Sequence, residues 1–215
     1  MKSRIMLDNH LRGILKAFGL KVGKVSSGLL DQRVRELVDG DETLERVVGP
    51  ILAVRQEVVR QFDELHMLVL KAVHADPVCR LLISVPGVGP VTALAFRTAV
   101  EDPSRFAKSS YVGAHFGLTP RKYASGETDR NGHISRCGDR MVRSLLCEAA
   151  NVLLTRVQRW SWLKRWGVEI ARRRGKMRAQ VAVARRLAVI MHRMWTDGVP
   201  FQWTRATSDA RLSVQ

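Results

Sequence analysis

Cysteine is scarce in this 215-residue sequence. Cys79, Cys137 and Cys147 form no C-x-x-C pair, and their odd number suits reduced thiols better than a disulfide framework. Long apolar runs are also lacking. The longest uncharged stretch in the middle of the chain, Leu81–Phe96, has 16 residues and is broken by Pro86, Gly87, Gly89 and Pro90. A membrane-spanning helix needs about 20 apolar residues, so none is expected. The first residues, MKSRIMLDNHLRG, hold no uninterrupted apolar core, so no signal peptide is expected. Acids are few: 20 Asp and Glu stand against 36 Lys and Arg, for a formal charge of +16. An excess of that size implies an anionic partner, and nucleic acid gains most because neutralising its phosphates releases counterions. With 46 % hydrophobic residues the chain is too apolar to be disordered and long enough for one domain or two small ones. These absences place it in a cytoplasm as a soluble basic protein.

The charge is unevenly spread. Residues 31–64 carry nine acids against five arginines, whereas residues 156–193 carry twelve bases and the single acid Glu169. An anion-binding face is therefore expected mainly in the second half. The pattern is mainly helical: an amphipathic helix over 3–18 ending at Gly19, a second over Leu29–Val38, and a long periodic stretch over 44–74. In that stretch Ile51, Val54, Val58, Gln61, Leu65, Leu68 and Ala72 alternate at spacings of three and four, which is three heptads with one polar seam position. Such a helix can pack on its own domain or form a coiled coil. Its length and flanking charges favour the coiled coil, and the acids of 31–64 read as a solvated face.

Asp76-Pro77 restarts the chain into Val78–Ser84. The turn Val85-Pro86-Gly87-Val88-Gly89-Pro90 then leads to a helix from Val91 to about Val100 that stops at Asp102-Pro103. Two short helices joined in this way resemble a helix-hairpin-helix. There Gly87 and Gly89 would let the backbone approach a phosphate and the next helix N-terminus would face it; the other reading is a structural turn between core helices. Residues 111–140 break the helical pattern with five glycines. Arg121–Ser125 faces Gly132–Arg136 across a polar turn, predicting a short β-hairpin or ordered loop. Between Arg121 and Arg143 lie six bases and the hydroxyls of Tyr123, Ser125, Thr128 and Ser135. A serine in such an arginine-rich bend can attack phosphorus while the guanidinium groups stabilise the charge that develops, although Ser-Gly is more often only a turn.

His133 in the polar hairpin reads as an exposed hydrogen-bonding residue and His115 as a packed one. Trp160, Trp162 and Trp166 lie among Arg159, Lys164 and Arg165, and read as core rather than as base-stacking rings. The run Arg172, Arg173, Arg174, Gly175, Lys176, followed by Arg178, Arg185 and Arg186 at helical spacing, predicts a helix that tracks phosphates. The segment after Thr204 is expected to be a disordered tail.

The ordered elements Pro86–Pro90, Asp102–Phe106, Gly117-Leu118-Thr119-Pro120-Arg121, Ser125-Gly126 and Gly132-His133-Ile134-Ser135-Arg136, with the basic helix after Gly138, resemble the C-terminal domain of IS110/IS116/IS902-type insertion-sequence transposases. Asp8–Gly13 and Phe18-Gly19-Leu20 resemble the stretch that precedes their coiled coil. The resemblance implies a DNA recombinase in which Ser125 is the nucleophile and forms a phosphoserine link to the cut strand. It also implies a dimer, or pairing with an intact transposase subunit, through the coiled coil, a structured noncoding guide RNA, and a place at the bacterial nucleoid. The matching positions make Arg121, Lys122, Arg130, Arg136 and Arg140 candidate DNA contacts, beside Gly87, Gly89 and the run Arg172, Arg173, Arg174, Lys176 and Arg178.

Family members carry an N-terminal RuvC-like domain whose acids hold Mg2+. This sequence begins near where that domain would end, so a truncated transposase without its own metal ligands or cofactor is expected, binding nucleic acid but recombining poorly alone. The expected organisation is a helical remnant over 1–43, a coiled-coil helix over 44–76, a transposase domain over 77–203 and a tail over 204–215. Glu127 and Asp129, close to Ser125, would weaken phosphate attraction unless Arg130 and Arg136 neutralise them. The alternative function is a helix-hairpin-helix nucleic-acid-binding dimer without chemistry.

Overall fold

The computed structural model describes residues 2–125 and 128–204; Gly126, Glu127 and the predicted tail from 205 onward lie outside the described residues. The described chain is mainly α, with one two-stranded antiparallel sheet. It divides into two compact units, Met1–Leu68 and Val69–Gln215. The division falls inside the long helix rather than at its ends, where sequence pattern alone sets the boundaries. Among the described residues no helix is long and apolar enough to cross a membrane.

The first unit packs α1 (Lys2–Ala17), α2 (Leu30–Val38) and the leading part of α3 (Glu42–Ala75). Its core joins Leu11 and Leu15 of α1, Val34 and Val38 of α2, and Leu44, Val48 and Leu52 of α3. Asp41 starts α3 by accepting the Leu44 amide (3.0 Å), one of the orphan donors of the first turn, and Glu45 reaches back to the Gly40 amide (3.3 Å) just ahead of the helix. The next inward position of this stripe is Arg55, only 3 % exposed. Its guanidinium donates to Asp8 (2.6 Å), to Asp31 (2.7 Å), and to both the carbonyl (2.7 Å) and the hydroxyl (2.9 Å) of Ser27. One buried cation thus ties α1, the loop before α2, and α2 itself to α3. Asp31 therefore belongs to an internal ion cluster, which corrects its assignment to a solvated acidic face.

The heptad stripe is a different face of α3. Ile51 packs on the core margin, but Val54, Leu65 and Leu68 are between 54 and 60 % exposed, and Gln61 is exposed as well. The chain covers the stripe of Leu44, Val48 and Leu52 itself and leaves the predicted seam in water.

The second unit is built round α9 (Lys176–Asp197), whose buried Val183, Leu187 and Met191 meet Leu146 and Leu153 of α7 (Arg140–Thr155) and Leu163 of α8 (Trp162–Arg174). Ahead of these come α4 (Pro77–Ile83), α5 (Pro90–Val100) and α6 (Ser110–His115), with Phe96 and Phe116 in the same core. Asp76 caps α4 through the Cys79 amide, Asp139 caps α7 through the Met141 and Val142 amides, and Ser161 caps α8 through the Lys164 amide. His192 of α9 is buried with both ring nitrogens engaged: Nε2 donates to the Pro103 carbonyl (2.9 Å) and Nδ1 accepts from the Ser109 hydroxyl (3.0 Å). The Pro103–Ser109 segment is thereby pinned to α9 by a histidine that no sequence motif marks.

Candidate nucleic-acid interface

The hairpin consists of β1 (Pro120–Ser125) and β2 (Thr128–Ile134), paired from Pro120 with Ile134 at the root to Ser125 with Thr128 at the tip, with a bulge between Pro120 and Lys122. Period-two alternation puts Arg121, Tyr123 and Ser125 on one face of β1, and Arg130, opposite Tyr123, shares that face. Lys122 lies on the other. Ser125 is exposed, and so are Arg121, Lys122, Arg130 and His133. The Tyr123 ring lies over Gly132, where a Cβ would come within 2.6 Å of it.

The root is clamped to the helical core. Ser135 donates its amide to the Thr119 carbonyl (2.8 Å) and Arg136 to the Gly117 carbonyl (3.1 Å). Arg121 donates to the Ser135 carbonyl (3.2 Å). Arg143, on α7, reaches the carbonyls of both Phe116 (3.1 Å) and Cys137 (2.9 Å), so one guanidinium holds the chain entering and the chain leaving the hairpin. The crossing is too tight for side chains at two positions. Gly117 (φ +65°) and Gly138 (φ +71°) have left-handed backbone, and a Cβ would collide with the Cys137 carbonyl oxygen at the first and the His115 carbonyl oxygen at the second. Nothing but its place in a basic helix marks Arg143 in the sequence, and it is not among the expected site residues.

This geometry separates residues that the sequence groups together. Arg136, itself left-handed at φ +57°, lies beyond the root, at least five strand steps or ~17 Å from the tip. Arg130 is the nearer cation to Ser125 along the strands. Arg140 is exposed at the first turn of α7, likewise on the root side.

The helix-hairpin-helix is present as α4, the turn Ser84–Gly89 and α5. Gly87 (φ +91°) points inward: a Cβ there would lie 2.5 Å from the Ala149 carbonyl oxygen of α7. Packing on α7 by itself requires glycine here, whatever the backbone of the turn contacts. Gly89 is the open one: a Cβ there would meet no atom within 4 Å, and the residue stands as the N-cap of α5. A shallow depression lined by Gly89, Val91, Thr92 and Leu145 adjoins it, with the exposed Glu148 on its rim. A carboxylate there opposes a phosphate approaching the α5 N-terminus.

The basic run forms a corner between two helices instead of one tracking helix. Arg172, Arg173 and Arg174 end α8, Gly175 turns the chain at φ +85°, and Lys176 and Arg178 open α9; all five cations are exposed. The first three suit the negative end of the α8 dipole. Lys176 and Arg178 sit against the positive end of α9, an arrangement that costs ~0.3–1 kcal/mol each without an anion. Arg185 and Arg186 are removed from this group: the Arg185 stem covers Gly113, and the Arg186 guanidinium lies 5.8 Å from the Trp162 ring. With Arg172, Arg173 and Arg174 changed to glutamine, the slope of log K against log salt for duplex binding is expected to fall by about 2–3, the loss of three phosphate contacts. Salt titrations of the parent and the triple variant check this, and an unchanged slope removes the corner from the footprint.

Trp162 and Trp166 pack on the core as expected, and Trp162 donates to the Gln202 carbonyl (3.0 Å). Trp160 does not, being 59 % exposed. His115 is exposed rather than packed, although its ring lies edge-on to Phe106 and Phe116. Burial raises the thiol of Cys79 to about 11 and that of Cys147 in the same direction, so neither is a nucleophile near neutral pH. Among the described residues no three His, Cys, Asp or Glu side chains converge as a metal ion would require, and Asp8 and Asp31 are engaged by Arg55. The residues described here do not fit a Mg2+ site.

A basic, mainly α protein that displays a clamped β-hairpin and a helix-hairpin-helix is thereby defined. Residues 79–166 match the Transposase IS116/IS110/IS902 family of insertion-sequence transposases. The chain is 33 % identical over 205 residues to the transposase for insertion sequence element IS1111A of Coxiella burnetii, covering 91 % of this chain and 55 % of the relative. It is 28 % identical over 208 residues to the putative transposase y4pF/y4sB of Sinorhizobium fredii, covering 94 % and 53 %. To the transposase for insertion sequence element IS1328 of Yersinia enterocolitica it is 25 % identical over 206 residues, covering 94 % and 61 %. The chain spans a little over half the length of these curated relatives.

Proposed function

We propose that this chain is the DNA-binding and strand-joining part of an insertion-sequence transposase, with Ser125 as its nucleophile. The reading rests above all on the position of Ser125, exposed at the tip of a basic hairpin in a chain that matches this family. In the proposed step Ser125 Oγ attacks the phosphorus of a DNA phosphodiester and loses its proton to solvent. A phosphoserine ester forms, the bond from phosphorus to one sugar oxygen breaks, and that oxygen takes up a proton. The ester keeps the energy of the broken bond, so an incoming sugar hydroxyl can displace Ser125 and reseal a strand without a further energy source. Arg130, on the same face as Ser125, supplies donors to the phosphate oxygens as their charge grows, and Arg121, nearer the root, meets the flanking backbone of the strand.

The open backbone at Gly89 and the corner from Arg172 to Arg178 hold the duplex without reading its sequence. A second subunit, another copy or an intact transposase, pairs along the exposed α3 seam of Val54, Gln61, Leu65 and Leu68, with the polar Gln61 fixing register. Choice of target falls to a structured noncoding RNA, and any Mg2+ chemistry to a RuvC-like domain outside these residues.

The test is a covalent adduct. The chain, joined to or mixed with a RuvC-like half, is incubated with nicked or suicide substrates, and the protein–DNA complex is digested for peptide mapping. A phosphonucleotide on Ser125 is the expected result. An adduct on another side chain overturns the assignment, and binding without any adduct favours the module without chemistry.

A further inference from the structure

We infer that Trp160 is a stacking platform for an unpaired nucleobase, a contact separate from both the hairpin and the α8–α9 corner. Tryptophan is costly to leave in water, and the two other tryptophans of this stretch, Trp162 and Trp166, pack against the core. Trp160 is 59 % exposed, in the loop between α7 and α8.

The loop holds it there. The amides of Arg156 and Val157 both donate to the Val152 carbonyl (2.8 and 3.1 Å), and Ser161 is buried as the cap of α8. Lys164 Nζ donates to the Val157 carbonyl and lies 4.8 Å from the centre of the Trp160 ring. With the Lys164 ammonium against it and more than half of the residue exposed, the ring is open and already oriented, so little conformational entropy is lost when a flat partner arrives.

The surroundings select the partner. Arg156, Arg159, Lys164 and Arg165 place four cations within the ten residues 156–165, which hold no acid. Arg156 and Arg159 are exposed, and Arg159 lies 4.1 Å from the centre of the Trp203 ring, a second cation–indole pair next to the first. Apolar protein surfaces do not need this charge. A base with a phosphate on either side uses both features: the ring for stacking and the guanidinium groups for the backbone. In a duplex the base faces are covered by their neighbours, so the platform is specific for single strands. Strand exchange creates such strands, but the platform does not depend on Ser125, whose assignment can fail while Trp160 still stacks.

The experiment is fluorescence anisotropy of the full chain at fixed salt. The probes are labelled oligothymidine of about 15 nucleotides, oligouridine of the same length, and a mixed-sequence duplex. Trp160→Ala is expected to weaken single-strand binding about tenfold, the worth of one base–aromatic stack, and duplex binding less than about twofold, while Trp160→Phe keeps most of the affinity. Loss on the DNA or on the RNA strand supports the platform, and the larger loss names its source. Equal losses on duplex and single strand, or no loss on either, overturn it. A second readout guards against misfolding: the difference in tryptophan emission between the parent and Trp160→Phe must be quenched by oligothymidine, and its absence also overturns the platform.

Discussion

Ser125→Ala, with the chain joined to a RuvC-like half, is expected to lower strand cleavage by at least about a thousandfold, the scale on which removal of a nucleophile acts. Duplex affinity is expected to stay within about twofold, because phosphate contacts are spread over many cations and Ser125 carries no charge. Cleavage measured on supercoiled plasmid and binding measured by anisotropy separate the two effects. The position makes the experiment clean. Ser125 is exposed at the strand tip, and the hydrogen bonds that hold the hairpin lie at its other end, so alanine creates neither a cavity nor a buried orphan. Retained cleavage in Ser125→Ala would leave the hairpin as a DNA-positioning element. A cysteine in place of Ser125 keeps a nucleophilic atom in the same register, and a low residual rate in that variant, absent from the alanine variant, would assign the chemistry to the side-chain tip rather than to the backbone of the turn.

Removal of the Arg55 guanidinium is the largest stability effect expected of a single polar residue in the chain. Arg55→Ala leaves Asp8, Asp31 and the Ser27 carbonyl facing an empty, largely buried space, and breaking a buried pair from one side costs about 3–5 kcal/mol. Arg55→Lys is expected to recover only a small part. A point-like ammonium on a flexible stem cannot reproduce a planar fork that reaches α1, α2 and the loop between them. Denaturant unfolding of the parent and variants measures the cost. Since the chain has two compact units, hydrogen exchange at Leu11 and Val34, against exchange at Leu146 and Leu187, assigns it to one of them. A loss below about 1 kcal/mol would mean that water replaces the guanidinium at little cost. Adding Asp8→Asn and Asp31→Asn to Arg55→Ala is expected to return part of the stability, because the variant no longer holds two unpaired carboxylates.

Local chemistry carries far in the sequence. The helix expected over 3–18 runs over Lys2–Ala17, the one from Val91 starts at Pro90, and the segment between Pro120 and Ile134 is the hairpin. Asp76-Pro77 and Asp139 announce helix starts by mechanisms a sequence displays: a carboxylate that accepts free amides, and at the first a fixed φ. What the sequence conceals is long-range. α3 carries two apolar stripes at helical spacing, and periodicity cannot say that Leu44, Val48 and Leu52 are covered by the chain's own helices while Val54, Leu65 and Leu68 are not. A glycine with open space beside it and one pressed against a neighbouring helix read alike, which is why Gly89 and Gly87 part company only in three dimensions. The arginines of 172–186 look like one footprint in sequence because a glycine within a basic run does not show that it ends a helix, as Gly175 does.

The candidate site is legible as a set of residue types and much less so as a shape. Ser125 and Arg130 do share a face, whereas Arg136 and Arg140 belong to the other end of the hairpin. The contribution of Arg143 is invisible in sequence, since it reaches two carbonyls brought together only by folding, 27 residues away in one case and six in the other.

That arrangement has a practical corollary. Anchorage resides in Phe116–Thr119, Arg121 and Ser135–Arg143, while the strand tip projects from it like an interchangeable bit from a chuck. Sequence libraries confined to residues 122–130 can therefore vary what the strand tip presents while the grip that secures it is left alone.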